Sequence, residues 1–349
     1  MARYIKLSSG SILNGSPITF EIGPNVVAGG NLSFHRVVLE IRCGITDSNY
    51  ITIKMSAPVL TETINTTVSI DISSALRTFR DGYAYAADQT IFPLVKFFIG
   101  AYDEYMQNGE VHTYQGKVLY PNDGTAFSTI FGYASDIERM KSNGSLNITK
   151  LSRKPTTAPH LAFVGEEFVY PVDFAKAQSL LASNDLEQPQ SKIETIATEG
   201  LQTIGSQSVY ALPASESEHR HIFRFINSFG MLESISIPAA YSKKIGYTAS
   251  RYIATRKETF NSFSRSAVRK AYNQETWLYM TDPLTEEWQQ WYLHEFLMSE
   301  HAWLLVDDVY VPCTISVDDE ITYIDKLKTD MLSLSFSVEL DLHGSPTKH

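Results

Sequence analysis

The sequence predicts a mainly β fold, a β-sandwich or β-barrel, with one long amphipathic helix in the C-terminal part. Three observations predict it. Short runs of alternating apolar and polar residues recur, and Gly, Pro and Asn separate them. An Asn-Gly pair at residues 108–109 is a strong hairpin signal. A single segment near the C-terminus has apolar residues at three- and four-residue spacing. The length of 349 residues favours two domains.

Residues 1–150 are predicted to form a β-sandwich-like domain. Residues 18–22 (ITFEI) alternate strictly after the turn signal at Asn14-Gly15, and Val37, Leu39 and Ile41 share one face of a second strand. Residues 94–102 and 111–119 are predicted to pair as a hairpin around residues 108–109. Several strands at such short spacing are typical of a sandwich or barrel.

Residues 151–218 are predicted to be a linker or extended arm. From about residue 183 onward, Ser, Gln, Glu and Thr dominate, apolar residues are scattered, and Pro189 and Pro213 interrupt any regular element. Such a composition favours an exposed segment over a packed core.

Residues 219–349 are predicted to form a β-barrel-like domain with a helix at 283–299. Asp282 is a suitable N-cap and Pro283 a suitable first helical residue. The last strand alternates from Leu332 to Leu342. The apolar faces of the helix and this strand predict one core, made of Trp288, Trp291, Tyr292, Phe296, Leu334, Phe336 and Val338.

No motif for catalysis or metal binding stands out, so the sequence predicts a protein that is not an enzyme, with no catalytic residue, metal ligand or cofactor. Gly-x-Ser-x-Gly and Gly-rich phosphate loops are absent, and the two cysteines lack zinc spacing. His294 and His301 are seven residues apart, which is too far on a helix to share a metal ion. A pair of carboxylates suited to glycan hydrolysis stays open, because sequence alone does not place carboxylates in space.

Net charge and hydropathy limit which classes of partner the sequence predicts. The net charge of −10 argues against a dedicated nucleic-acid binder, and the most apolar run is too short and too interrupted for membrane insertion. The N-terminus lacks the apolar core of a signal peptide, so we expect synthesis in a cytoplasm.

One basic segment contrasts with this acidic balance. Between residues 243 and 270 there are eight cations and one acid, Glu258, interleaved with Tyr and Phe. Three interpretations stay open: a contact between subunits, a solvated face, and a site for DNA or membrane. The first is favoured, because the acidic remainder of an identical subunit would complement it. The predicted interface residues are Lys243, Lys244, Arg251, Arg256, Lys257, Arg265, Arg269 and Lys270.

The stretch 281–342 resembles the distal-tail and tail-tube-like proteins of long-tailed bacteriophages. The resemblance is carried by the helix pattern, then WLLVDDVYVPCTI at residues 303–315, then LSLSFSVELDL at 332–342. The pieces NSFG at 227–230 and FHR at 34–36 are similar to structural proteins of phages from gut Bacteroidetes. In distal-tail proteins the helix-bearing domain usually comes first, whereas here it comes last.

This resemblance implies a structural protein of the virion tail, in the tail tip or baseplate. Such proteins form homo-oligomeric rings, often hexamers, that join the tail tube to the hub and to receptor-binding proteins. Two alternatives belong to other classes: a module that binds carbohydrate or a receptor, with a host-surface glycan as partner, and a tail-associated glycan hydrolase.

Overall fold

The protein is described from a computed structural model. The structure describes residues 4–9, 12–24, 33–45, 50–60, 67–121, 126–134, 150–156, 158–173, 188–254, 265–317 and 333–340. Strands dominate these residues, which confirms the prediction of a mainly β protein. The chain divides into two compact units, each built from three separate stretches. Unit 1 comprises 1–152, 171–192 and 228–231, and unit 2 comprises 153–170, 193–227 and 232–349.

Unit 1 contains two antiparallel sheets and a short helix. The three-stranded sheet has the order β1-β2-β5, and the five-stranded sheet has the order β4-β3-β6-β7 with β8 paired to β6. The helix α1 spans Ser73–Asp81. The strands are β1 (Ile5–Ser9), β2 (Thr19–Ile22), β3 (Ser33–Gly44), β4 (Ile51–Pro58), β5 (Val68–Asp71), β6 (Leu94–Gln107), β7 (Glu110–Tyr120) and β8 (Phe127–Ile130).

Two local features fix the chain path in unit 1. Asn108 and Gly109 both have positive φ, 54° and 83°, so the predicted hairpin turn forms between β6 and β7. Gly132 also has positive φ, and a Cβ atom there would lie 2.7 Å from the Cα of Phe229. Only glycine therefore allows this close approach of residues 228–231.

Residues 151–218, predicted to be a linker, instead contain strands. These are β9 (His160–Phe163), β10 (Glu167–Pro171), β11 (Ser191–Thr195), β12 (Gly200–Ile204) and β13 (Gln207–Leu212), followed by a 3-10 helix at Ala214–His219. Strands β12, β13 and β9 form one sheet and β10 and β11 form another. The sparse apolar residues still build a small core, because Phe168, Ile196 and Val209 are buried in one cluster. Scattered apolar residues thus occupy the inward positions of short strands.

A seven-stranded sheet in the order β15-β14-β18-β19-β20-β17-β16 forms the main part of unit 2. Its strands are β14 (Arg220–Ile226), β15 (Leu232–Pro238), β16 (Ser242–Ala254), β17 (Arg265–Met280), β18 (Ala302–Val306), β19 (Val309–Ser316) and β20 (Ser335–Leu340). In β20, Phe336, Val338 and Leu340 are buried, as the alternation predicts. All seven residues of the predicted core lie in one buried cluster of this unit.

The long helix predicted at 283–299 is wrong. An α-helix, α2, spans only Glu286–Trp291 and continues as a π-helical turn over Tyr292–Phe296. Asp282 does not cap the helix, because the helix begins at Glu286 and its N-cap is Thr285. The Asp282 carboxylate instead accepts a hydrogen bond from Arg220 Nη2 at 2.8 Å. After the π turn the chain leaves the helix, and the Ser299 hydroxyl donates to the carbonyl oxygen of Ile226 at 2.9 Å.

Candidate functional site

The basic segment forms a long β-hairpin. Ser242–Ala254 pairs with residues up to Leu278 and down to Arg265 of β17 in one antiparallel ladder. On its other side β17 pairs with β20, and only over Thr276–Met280. Within the described residues, the stretch 265–275 of β17 therefore has β16 as its ladder partner and no other strand. Eleven residues of extended chain span roughly 36 Å at about 3.3 Å per residue.

The predicted interface residues are distributed along this hairpin. Lys243 and Lys244 are exposed near its base, where the Lys243 Nζ lies 3.4 Å from the centroid of the Trp277 ring. The half of the hairpin farther from this base contains Arg251, Arg265, Arg269 and Lys270. Arg256 and Lys257 fall outside the described residues. The hairpin thus carries six of the eight predicted interface residues, and its role between subunits remains a prediction.

A pocket of about 220 Å³ opens in unit 2 beside the start of α2. Pro159, Leu284, Trp288 and Tyr292 contribute apolar surface to its wall. The same wall carries His160, Arg220, Ser236 and Asp282. An apolar wall with a few converging polar groups is typical of a small-molecule site.

The polar groups of this pocket are held in place by hydrogen bonds. Arg220 donates from Nε to the Ser236 hydroxyl at 3.1 Å, and from Nη2 to the Ser236 carbonyl and the Asp282 carboxylate, both at 2.8 Å. Burial, with Lys154 and Arg220 nearby, holds the pKa of His160 well below its usual range, so its imidazole stays neutral. His160 Nε2 is buried and makes no hydrogen bond within the described residues. A neutral imidazole beside a charge-balanced Arg–Asp pair suits an uncharged polar ligand.

Unit 2 also buries ionisable groups that do not line this pocket. The Lys154 side chain is 1% exposed and that of Glu233 is fully buried, and Lys154 Nζ lies 3.7 Å from Glu233 Oε2. Asn227 Nδ2 donates to Glu233 Oε1 at 2.5 Å. Burial raises the pKa of the Glu166 carboxyl to about 8, although its Oε2 accepts a hydrogen bond from the Phe163 amide at 3.1 Å.

Neither the pocket nor the buried group of Lys154, Asn227 and Glu233 was predicted from the sequence. Lys154 and Asn227 lie 73 positions apart, and neither stands in a recognisable motif. One signal was available: Glu233 interrupts the otherwise uncharged run from Phe225 to Ile237, and a carboxylate in such a strand requires a buried partner.

Comparison with known proteins identifies no relative: no family model, no curated protein and no solved structure matches the chain. Across the described residues, no group of three or more His, Cys, Asp or Glu side chains is arranged to hold a metal ion. None of the helices in those same stretches combines the length and the apolar character that crossing a bilayer requires.

Proposed function

We propose that this chain is a non-enzymatic structural component of a bacteriophage tail tip or baseplate. In this proposal it is synthesised in the host cytoplasm and forms an oligomeric ring in the virion tail. The ring connects the tail tube to the hub or to receptor-binding proteins. Unit 1 serves as the sandwich-like outward module, and the seven-stranded sheet of unit 2 serves as the barrel-like ring module.

The observation that carries the proposal is the hairpin of β16 and β17, which continues for eleven residues beyond its last pairing with β20 in the described chain. A two-stranded hairpin alone is marginally stable in water and is stabilised by a partner surface. The segment 243–270 has a net charge of +7 and the whole chain has a net charge of −10, so the rest of the chain carries −17. A second copy of the chain supplies the complementary surface, and closed rings of identical subunits repeat such a contact.

The test is the mass of the assembled protein, measured by light scattering with imaging of the particles. The wild-type chain is expected to form a closed ring that weakens as salt rises, since charges are screened beyond about 8 Å at physiological ionic strength. A variant carrying Arg251→Glu, Arg269→Glu and Lys270→Glu is expected to be a folded monomer.

The matched control reverses three exposed lysines outside the hairpin, Lys6→Glu, Lys150→Glu and Lys192→Glu, which changes the net charge by the same amount. It is expected to assemble like the wild type. A monomeric wild-type protein would contradict the ring, and a hairpin variant that assembles normally would contradict the role of the hairpin.

A second candidate function, binding of a host-surface glycan, is favoured by the pocket beside α2. Sugar rings present an apolar face that packs on an indole such as Trp288, and their hydroxyl groups pair with side chains such as Arg220 and Asp282. Titration with monosaccharides, followed by tryptophan emission, is expected to give a saturable change that Asp282→Asn weakens. Asp307→Asn, at an exposed turn outside the pocket, is the control. A signal that both variants retain equally would contradict binding in this pocket.

A further inference from the structure

Three buried side chains of unit 2 meet around one carboxylate. The two oxygens of Glu233 face different nitrogens: Oε1 accepts from Asn227 Nδ2 at 2.5 Å, and Oε2 lies 3.7 Å from Lys154 Nζ. Asn227 is 4% exposed and Glu233 is fully buried. An amine, a carboxamide and a carboxyl group are thus brought together out of contact with water.

The contacts differ from those of an optimised ion pair. The Lys154 amine donates to the carbonyl oxygen of Ser234 at 3.1 Å, while Glu233 Oε2 is buried and makes no hydrogen bond within the described residues. A buried ion pair is stabilising only with close geometry and satisfied hydrogen bonds. Here the carboxylate lies between an amine and an amide, which is the position of a group that passes a proton from one to the other.

Aromatic rings surround the amine. Its nitrogen lies 4.9 Å from the centroid of the Phe168 ring and 5.1 Å from that of Trp291. Burial lowers the pKa of Lys154, which favours the neutral, nucleophilic form of the amine. The same rings exclude water that would hydrolyse an amide formed there. Trp291 Nε1 is buried without a hydrogen-bond acceptor among the described residues, so the site also holds an unused donor.

We propose that Lys154 and Asn227 become joined by an intramolecular isopeptide bond, with Glu233 as the proton-transferring group. The neutral Nζ attacks Cγ of Asn227, a new C–N bond forms, and the bond from Cγ to Nδ2 breaks. Glu233 takes a proton from the amine and delivers one to Nδ2, which leaves as ammonia. An amine and a primary amide thus give a secondary amide and ammonia, so the step needs no oxidant, metal or cofactor.

The bond would tie the segment that precedes β9 to the end of β14. The chain between Lys154 and Asn227 contains the strands β9 to β14, so a covalent bond between these two residues limits how far unit 2 extends when it is pulled or heated. Such a tie goes beyond the proposed ring function and does not depend on it, because all three side chains belong to one unit of one chain.

The experiment is intact-mass analysis of the purified full chain, followed by peptide mapping. The wild-type mass is expected to be lower than the sequence mass by one ammonia. The map is expected to contain a branched peptide joining Lys154 to Asn227. This measurement uses wild-type protein alone, so it does not depend on whether a variant folds.

Variants then assign the roles. Lys154→Met, Asn227→Ala and Glu233→Gln are each expected to restore the full mass calculated for the variant, and the branched peptide is expected to disappear. Lys192→Met, at an exposed lysine, is the control and is expected to keep the ammonia loss. A wild-type chain at its full sequence mass overturns the proposal. So does an ammonia loss that maps to the turn at Asn108, where an Asn-Gly pair cyclises without any lysine.

Discussion

Phe296 lies at the centre of the unit 2 core, and its truncation gives a direct test of how that core is stabilised. The side chain is fully buried at the end of the π-helical turn. Its ring makes edge-to-face contacts with Phe225, Phe223, Phe336 and Tyr292, at centroid distances of 5.3, 5.4, 5.7 and 6.0 Å. The contacts reach strands β14 and β20, so one ring connects the helical segment to two strands of the sheet.

We expect Phe296→Ala to lower the free energy of unfolding of unit 2 by about 3–5 kcal/mol, the usual range for a buried Phe replaced by Ala. Loss of four aromatic contacts, each worth about 0.5–1.5 kcal/mol beyond burial, favours the upper part of that range. For a unit of this size the melting temperature should fall by roughly 6–20 °C.

The assay is tryptophan emission during thermal or urea unfolding. All four tryptophans, Trp277, Trp288, Trp291 and Trp303, belong to unit 2, so their emission reports this unit within the intact chain. Met298→Ala is the control, since Met298 is two residues away and 67% exposed. If the two variants unfolded at the same temperature, the helical segment would not be packed on the sheet as described.

Two further predictions concern single side chains of unit 2. The pKa of Glu166 is raised to about 8 from an ordinary 4.5, so the unfolded chain loses this proton first, and the contribution of Glu166 to stability falls as pH rises from about 4.5 to 8. Glu166→Gln keeps an oxygen that accepts from the Phe163 amide, so at pH 8.5 its free energy of unfolding should exceed that of the wild type by on the order of a few kcal/mol. At pH 5 the difference should be much smaller, and a difference that does not depend on pH would contradict this pKa. In the turn between β18 and β19, Asp307 and Asp308 have positive φ values of 48° and 61°, so Asp308→Gly should raise the free energy of unfolding by roughly 0.5–1 kcal/mol. Urea unfolding measures this change, and a lower stability would show that the Asp side chains support the turn.

The elements that could be predicted from the sequence are those whose cause is local. The alternation of β20 follows from a strand with one buried face, and the turn at Asn108-Gly109 follows from the backbone preferences of two residues. The helix shows the limit of local signals. Asp282 and Pro283 satisfy the rules for a helix start, but Asp282 is bound by Arg220, which lies 62 positions earlier in the sequence.

The candidate site was predicted less well, for the same physical reason. The cations of the hairpin could be found because they are neighbours in sequence. The group formed by Lys154, Asn227 and Glu233 could not, because its members come together only through the pairing of strands and loops that are distant along the chain. A buried carboxylate indicates that a partner exists without indicating which residue it is.

The alternation of the chain between its two units affects how the protein is made. Because unit 1 takes residues 228–231 as well as 1–152 and 171–192, it lacks a piece until the chain has been synthesised past residue 231. At about 5–20 residues per second, the ribosome needs roughly 4–16 s to advance from residue 152 to residue 231. During that interval unit 1 is incomplete, and its last piece, residues 228–231, is synthesised when less than a third of unit 2 exists. A gene cut after residue 152 would leave two pieces of unit 1, residues 171–192 and 228–231, on the fragment that encodes unit 2, so shuffling of this protein between genomes should exchange the two units together.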